Sequence, residues 1–125
     1  MIRSTTVAIL SATTIAAAAL TPATVARATT RYDGAWSVVI YTKTGPCDAS
    51  YRFSGQIVNG IINYGTIGVN FTGRVRSSGA AYVRVSSGSS YAVAYGRLTI
   101  NRGSGTWHGQ ASSGYCTGKW VATRT

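Results

Sequence analysis

Two aspartates, one histidine and two cysteines are the only carboxylate, imidazole and thiol side chains in this 125-residue chain. There is no glutamate, so Asp33 and Asp48 would have to form any paired-carboxylate site. Their contexts point elsewhere. Asp33 precedes Gly34 at the entrance to a strand, and Asp48 follows Cys47 after the Thr44-Gly45-Pro46 turn, both positions where Asp caps and shapes turns. His108 lies between Trp107 and Gly109 and faces away from Trp107 on an alternating strand, as a solvated surface residue. No Gly-x-Ser-x-Gly elbow accompanies it to build a nucleophilic triad. One His and two Asp make no metal cluster, and Gly103-Ser104-Gly105 lacks the following Lys-Ser/Thr of a phosphate loop. The composition therefore reads as a non-enzymatic chain without cofactor or metal.

The remaining chemistry is cationic. Twelve Lys and Arg against two Asp give a net charge of +10. If Ser77-Ser78-Gly79 centres a hairpin, Arg74 lies across from Tyr82, Arg76 sits by the turn, Arg84 faces Thr72, and Arg97 approaches the same end from the next strand. Guanidinium groups interleaved with Tyr suit planar anions, through bidentate hydrogen bonds and cation–π contact. Arg74, Arg76, Tyr82, Arg84 and Arg97 are thus the candidate binding residues. The matching partners are an anionic polysaccharide, lipopolysaccharide or another polyanion. The competing reading is a cationic surface that keeps the chain soluble.

Export fits this reading. Residues 1–28 carry Arg3, an apolar Val7–Leu20 stretch, Pro22 and an Ala26-Arg27-Ala28 small-x-small site, the pattern of a secretory signal peptide. That stretch is too short for a comfortable transmembrane helix, which needs about 20 residues. Removing 1–28 takes Arg3 and Arg27 with it, leaving one domain over 29–125 with ten basic and two acidic residues, or +8. In an oxidising compartment, periplasmic or extracellular, Cys47 and Cys116 are most simply a single structural disulfide.

The elements that must position these residues are strands. Period-2 alternation recurs after residue 29, punctuated by Gly, Asn and Ser, with no 3.6-residue period. Trp36, Val38 and Ile40 share one face; Tyr51, Phe53 and Ile57 share another, opposite Arg52, Ser54 and Gln56. Asn59-Gly60 supplies the pair a type I′ hairpin prefers. Short strands follow over 61–65 and 67–76, where Ile67, Val69, Phe71 and Val75 face one way. Val83 and Val85 alternate with Tyr82 and Arg84. In 90–100, Tyr91, Val93 and Tyr95 oppose the parity of Leu98 and Ile100, which a bulge near Gly96 reconciles. Strands over 105–111 and 115–123 bring Trp107 and Trp120 inward. About eight short antiparallel strands in a meander close as an up-and-down barrel, with a two-sheet sandwich as the alternative. Each Trp stands two residues after a Gly, in Gly34-Ala35-Trp36, Gly105-Thr106-Trp107 and Gly118-Lys119-Trp120, so a neighbouring ring can cover the glycine position.

The run Tyr32-Asp33-Gly34-Ala35-Trp36-Ser37-Val38, with Cys47-Asp48, Asn59-Gly60, Gly73-Arg74-Val75, Gly96-Arg97-Leu98, Gly105-Thr106-Trp107 and Gly118-Lys119-Trp120, resembles an uncharacterised family of small exported bacterial β-rich proteins. This resemblance covers nearly all of 29–125 and implies no particular activity. An opening Gly-x-Trp strand before a β-meander is similar to the avidin and lipocalin barrels, which implies architecture. Ser37-Val38-Val39-Ile40 replaces the polar set that follows the first Trp in avidins.

Three functions fit. The first is an exported binding module for anionic polymers or surfaces through the Arg/Tyr face. The second is a small barrel for an apolar ligand, provided that inward Trp and Phe do not fill the interior. The third is a structural or inhibitory envelope protein acting by contact with a protein the sequence does not name.

Overall fold

A computed structural model describes residues 8–18, 30–65 and 67–125 of the chain. Most of the expected signal segment 1–28, including the Ala26-Arg27-Ala28 pattern, lies outside the described residues. Residues 8–18 are exposed and without regular structure.

Eight antiparallel strands, β1 (Gly34–Thr44), β2 (Ser50–Val58), β3 (Ile61–Asn63), β4 (Asn70–Val75), β5 (Ala80–Ser87), β6 (Ser90–Leu98), β7 (Arg102–Ala111) and β8 (Gly114–Arg124), follow one another in a closed barrel. Each strand pairs with its sequence neighbours, and β8 closes onto β1 from Trp36↔Arg124 to Thr44↔Thr117. This is the meander barrel, not the sandwich. Closure removes the edges that a small sheet would otherwise expose.

Local chemistry sets the turns and the faces. Asn59 and Gly60 both take positive φ, 52° and 77°, as a type I′ turn requires. The Asp33 carboxylate accepts hydrogen bonds from the Asn59 and Gly60 amides at 2.7 and 3.1 Å and from the Thr30 hydroxyl. Those three donors, the Thr30 hydroxyl first, hold its pKa below the ordinary 3.8.

The Gly-x-Trp repeats acquire a specific role where β7 meets β8. Trp107 pairs with Gly118, and Gly105 pairs with Trp120, so each indole lies over the other motif's glycine. A Cβ at Gly118 would collide with the Tyr41 carbonyl, which instead accepts the Trp107 indole N–H at 3.0 Å. A Cβ at Gly105 would collide with the Tyr95 carbonyl, which accepts the Trp120 N–H at 3.0 Å. Trp36 donates to the Tyr32 carbonyl at 2.8 Å. All three buried indoles are thus satisfied by main chain, which avoids the penalty of an unpaired buried donor.

Two expectations for the strands change. No bulge occurs near Gly96, because the β5–β6 and β6–β7 registers run unbroken through Ala81↔Gly96↔Gly105. The register shift lies instead between Thr42 and Thr44, where β1 meets β8. Ala92, Ala94 and Gly96 point inward, and Tyr91 and Tyr95 point outward. The third and fourth strands are also shorter than 61–65 and 67–76; Ile67 stands in a turn, fully exposed, and not on the inward face.

Much of the core gathers at one end. Tyr32, Trp36, Ile57, Val75, Leu98 and Trp120 pack there, with Tyr32 buried beneath the β4–β5 turn beside Gly79. Arg124 latches this end: its guanidinium donates to the carbonyls of Ile100, Asp33 and Arg31 at 2.8, 2.6 and 2.7 Å and lies 4.7 Å over the Trp36 ring. At the other end, the Cys47–Cys116 disulfide ties the β1–β2 loop to β8. Its 69-residue separation places its chain-entropy contribution at about 4 kcal/mol.

Candidate functional site: the barrel interior and the outer wall

An eight-stranded barrel is just wide enough either to be filled by its own side chains or to hold one small ligand. Which of the two occurs depends on the sizes of the inward residues. Here the sizes are lopsided. β1, β2, β7 and β8 send in Trp36, Ile40, Phe53, Trp107 and Trp120, whereas β5 and β6 send in Ala81, Val83, Val85, Ala92, Ala94 and Gly96, with Leu98 as the one large aliphatic at the end of β6. The deficit leaves a cavity of about 330 Å³ lined by residues of both sets.

Twenty residues line that cavity, and Arg52 is the only charged one. The three indole N–H groups nearby are already committed to carbonyls, and no buried side-chain polar atom among the described residues lacks a partner. The wall therefore offers a ligand shape and apolar contact rather than hydrogen bonds. A more open recess of about 230 Å³ lies at the disulfide end, lined in part by Cys47, Tyr51, Ser87, Ser90 and Gln110. Tyr51 also lines the main cavity, and its phenol is tied to Asp48, which raises its pKa above the ordinary 10.0.

One side of the wall is thin. β3 has three residues and meets β4 through the single register pair Ile61↔Arg74. Beside this seam, the Tyr64 ring packs between Phe53 and Phe71, with centroids at 5.4 and 5.8 Å. All three rings line the cavity and stay half-buried.

The arginines lie on the opposite surface of the same strands. Arg74 pairs with Tyr82, Arg84 with Thr72, and Arg97 with Ala80, while Arg76 follows the end of β4. All four are exposed, and Arg84 stands 5.5 Å over the Tyr91 ring. None is brought into the cavity. His108 is half-buried on this outer wall, between the rings of Tyr95 and Tyr115. Asp33 is at the closed end and Asp48 at the disulfide end. Among the described residues no group of His, Cys and carboxylates is placed to hold a metal ion.

Sequence reading missed Val83, Val85, Ala92 and Ala94 as site residues. The available signal was their smallness on strands whose other face carries Tyr and Arg. The chain matches no protein-family model, no curated protein and no solved structure.

Proposed function

We propose that this protein is an exported, non-enzymatic carrier or sensor that encloses one compact apolar molecule inside its barrel. The carrying observation is the cavity of about 330 Å³ with a single charged residue among its twenty lining residues. Ligand sites usually span about 300–1,000 Å³, and an apolar cavity of about 150 Å³ already stays dry and takes up benzene. The volume here equals roughly ten waters in the liquid, and a largely apolar wall offers them few hydrogen-bond partners beyond one another. An apolar guest is therefore favoured over water. Its polar end, where it has one, belongs toward Tyr51 at the disulfide end, and entry fits the thin β3–β4 seam. The leader pattern of 1–28, the disulfide and the lack, among the described residues, of any helix long and apolar enough to cross a membrane support export.

The test uses N-phenyl-1-naphthylamine, an uncharged apolar fluorophore. The native protein is expected to bind it at micromolar concentration with a blue shift. Ala94→Phe, which fills the cavity from β6, is expected to abolish binding while the near-UV circular dichroism of a packed barrel persists. Native protein that binds neither this probe nor a panel of apolar compounds, or Ala94→Phe protein that binds undiminished, overturns the reading.

A further inference from the structure

The outer wall carries a feature that the cavity does not use. Tyr82, Tyr95, His108 and Tyr115 form one diagonal row across β5, β6, β7 and β8, with ring centroids 5.2, 6.5 and 6.3 Å apart. Tyr82, Tyr95 and Tyr115 remain 37, 51 and 52% exposed, a large apolar surface to leave in water. Val93 lies beneath the row, between Arg84 and His108 in register; although it points outward it is only 6% exposed, so the side chains around it roof the sheet.

Cations border the row. Arg74 lies opposite Tyr82, Arg84 packs over Tyr91, and Lys119 follows Tyr95 and Thr106 in register. No carboxylate lies on this wall: Asp33 is occupied at the closed end and Asp48 sits in the β1–β2 loop. Thr72, Thr106, Gln110 and Thr117 stand between the rings and the cations on the same outward face, as hydroxyl and amide partners.

We propose that this row is a docking strip for an extended acidic polysaccharide, independent of the cavity ligand. Successive sugar rings would lie on the aromatic faces, their hydroxyls would meet Thr and Gln, and their carboxylates or sulfates would meet Arg74, Arg84 and Lys119. Rings without the cations would suit a neutral glycan, and cations without the rings would suit any polyanion. The two together, on a wall rich in short hydroxyl side chains and in a chain with a disulfide, favour an acidic glycan over nucleic acid.

The experiment measures binding of the full chain to polygalacturonate, to its fully methyl-esterified form and to a single-stranded oligonucleotide of equal length. Polygalacturonate is expected to bind most tightly, with log affinity falling linearly as log salt rises. Tyr95→Ala/Tyr115→Ala should lower affinity about tenfold with the salt slope unchanged, as expected for lost ring contacts. Arg74→Gln/Arg84→Gln should lower both affinity and slope. These side chains are outward, and unchanged N-phenyl-1-naphthylamine binding in each variant reports an intact barrel and a separate cavity. Tighter binding of the oligonucleotide, equal binding of the neutral ester, or ring variants that bind like native protein overturns the proposal.

Discussion

Gly118→Ala is the sharpest test of how the barrel holds its tryptophans. The added methyl would collide with the Tyr41 carbonyl and come within 2.6 Å of the Trp107 indole nitrogen. Either β1 moves away from β8, or the indole turns and its 3.0 Å hydrogen bond to Tyr41 is lost. Stranding a buried N–H costs about 1–3 kcal/mol. Forcing a methyl into a packed contact costs about 1–3 kcal/mol more. The sum centres on about 4 kcal/mol, a large share of the 5–15 kcal/mol typical of whole domains. For a domain of about 100 residues this lowers Tm by roughly 15–30 °C. Gly65→Ala is the control, because a Cβ there meets nothing within 4 Å; it should leave stability unchanged or slightly raised. Thermal unfolding followed by near-UV circular dichroism reads both variants. Repeating Gly118→Ala in a Trp107→Phe background removes the donor, so about 1–3 kcal/mol of the penalty should vanish as a coupling energy. A Gly118→Ala protein that melts within a few degrees of the Gly65→Ala protein refutes the proposed role of this glycine.

Other consequences follow from the two ends and the thin seam. Because the hydrogen bonds from Thr30, Asn59 and Gly60 depress the Asp33 pKa, the stability it contributes is present above 3.8 and is lost as pH falls through the lower folded value. Urea midpoints measured from pH 7 to pH 2 should therefore fall more steeply at the acid end for the native protein than for Asp33→Asn; parallel curves would remove the carboxylate from the account. Cys47→Ser/Cys116→Ser should cost about 2–5 kcal/mol in the same urea titration and weaken retention of N-phenyl-1-naphthylamine, since the bridge anchors the β1–β2 loop beside the open recess. Among the strands, amide hydrogen exchange should be fastest in β3, which a single register pair joins to β4, and slowest where β7 and β8 pair over ten residues. Uniform protection around the barrel would argue against entry at that seam.

Alternation and turn chemistry made the barrel legible, and side-chain volume is what hid the cavity. Asn59-Gly60, the face shared by Trp36, Val38 and Ile40, and the Arg74–Tyr82 pairing all depend on neighbours in sequence or across one hairpin, which local pattern can express. The β6 reading went astray because Tyr91, Val93 and Tyr95 look like a core face, when their rings and stems pack against Arg84 and His108 outside. With that parity corrected, the tyrosines and arginines of β5 and β6 stand outside, and apart from Leu98 the inward residues are small. Whether small inward residues leave a void depends on what faces them across the barrel, a distance set by strand number and closure rather than by any one strand. Ala92 and Ala94 would be ordinary filler opposite more bulk. Only the closed register sets them across from Ile40 and Phe53 with space between. The same inversion produces both surfaces, since each tyrosine turned outward on β5 and β6 leaves a small inward neighbour and adds a ring to the outer wall. A variant that returned bulk to the interior at Ala94 would therefore close the cavity without touching the Tyr82–Tyr95 pair, and the two binding activities should separate.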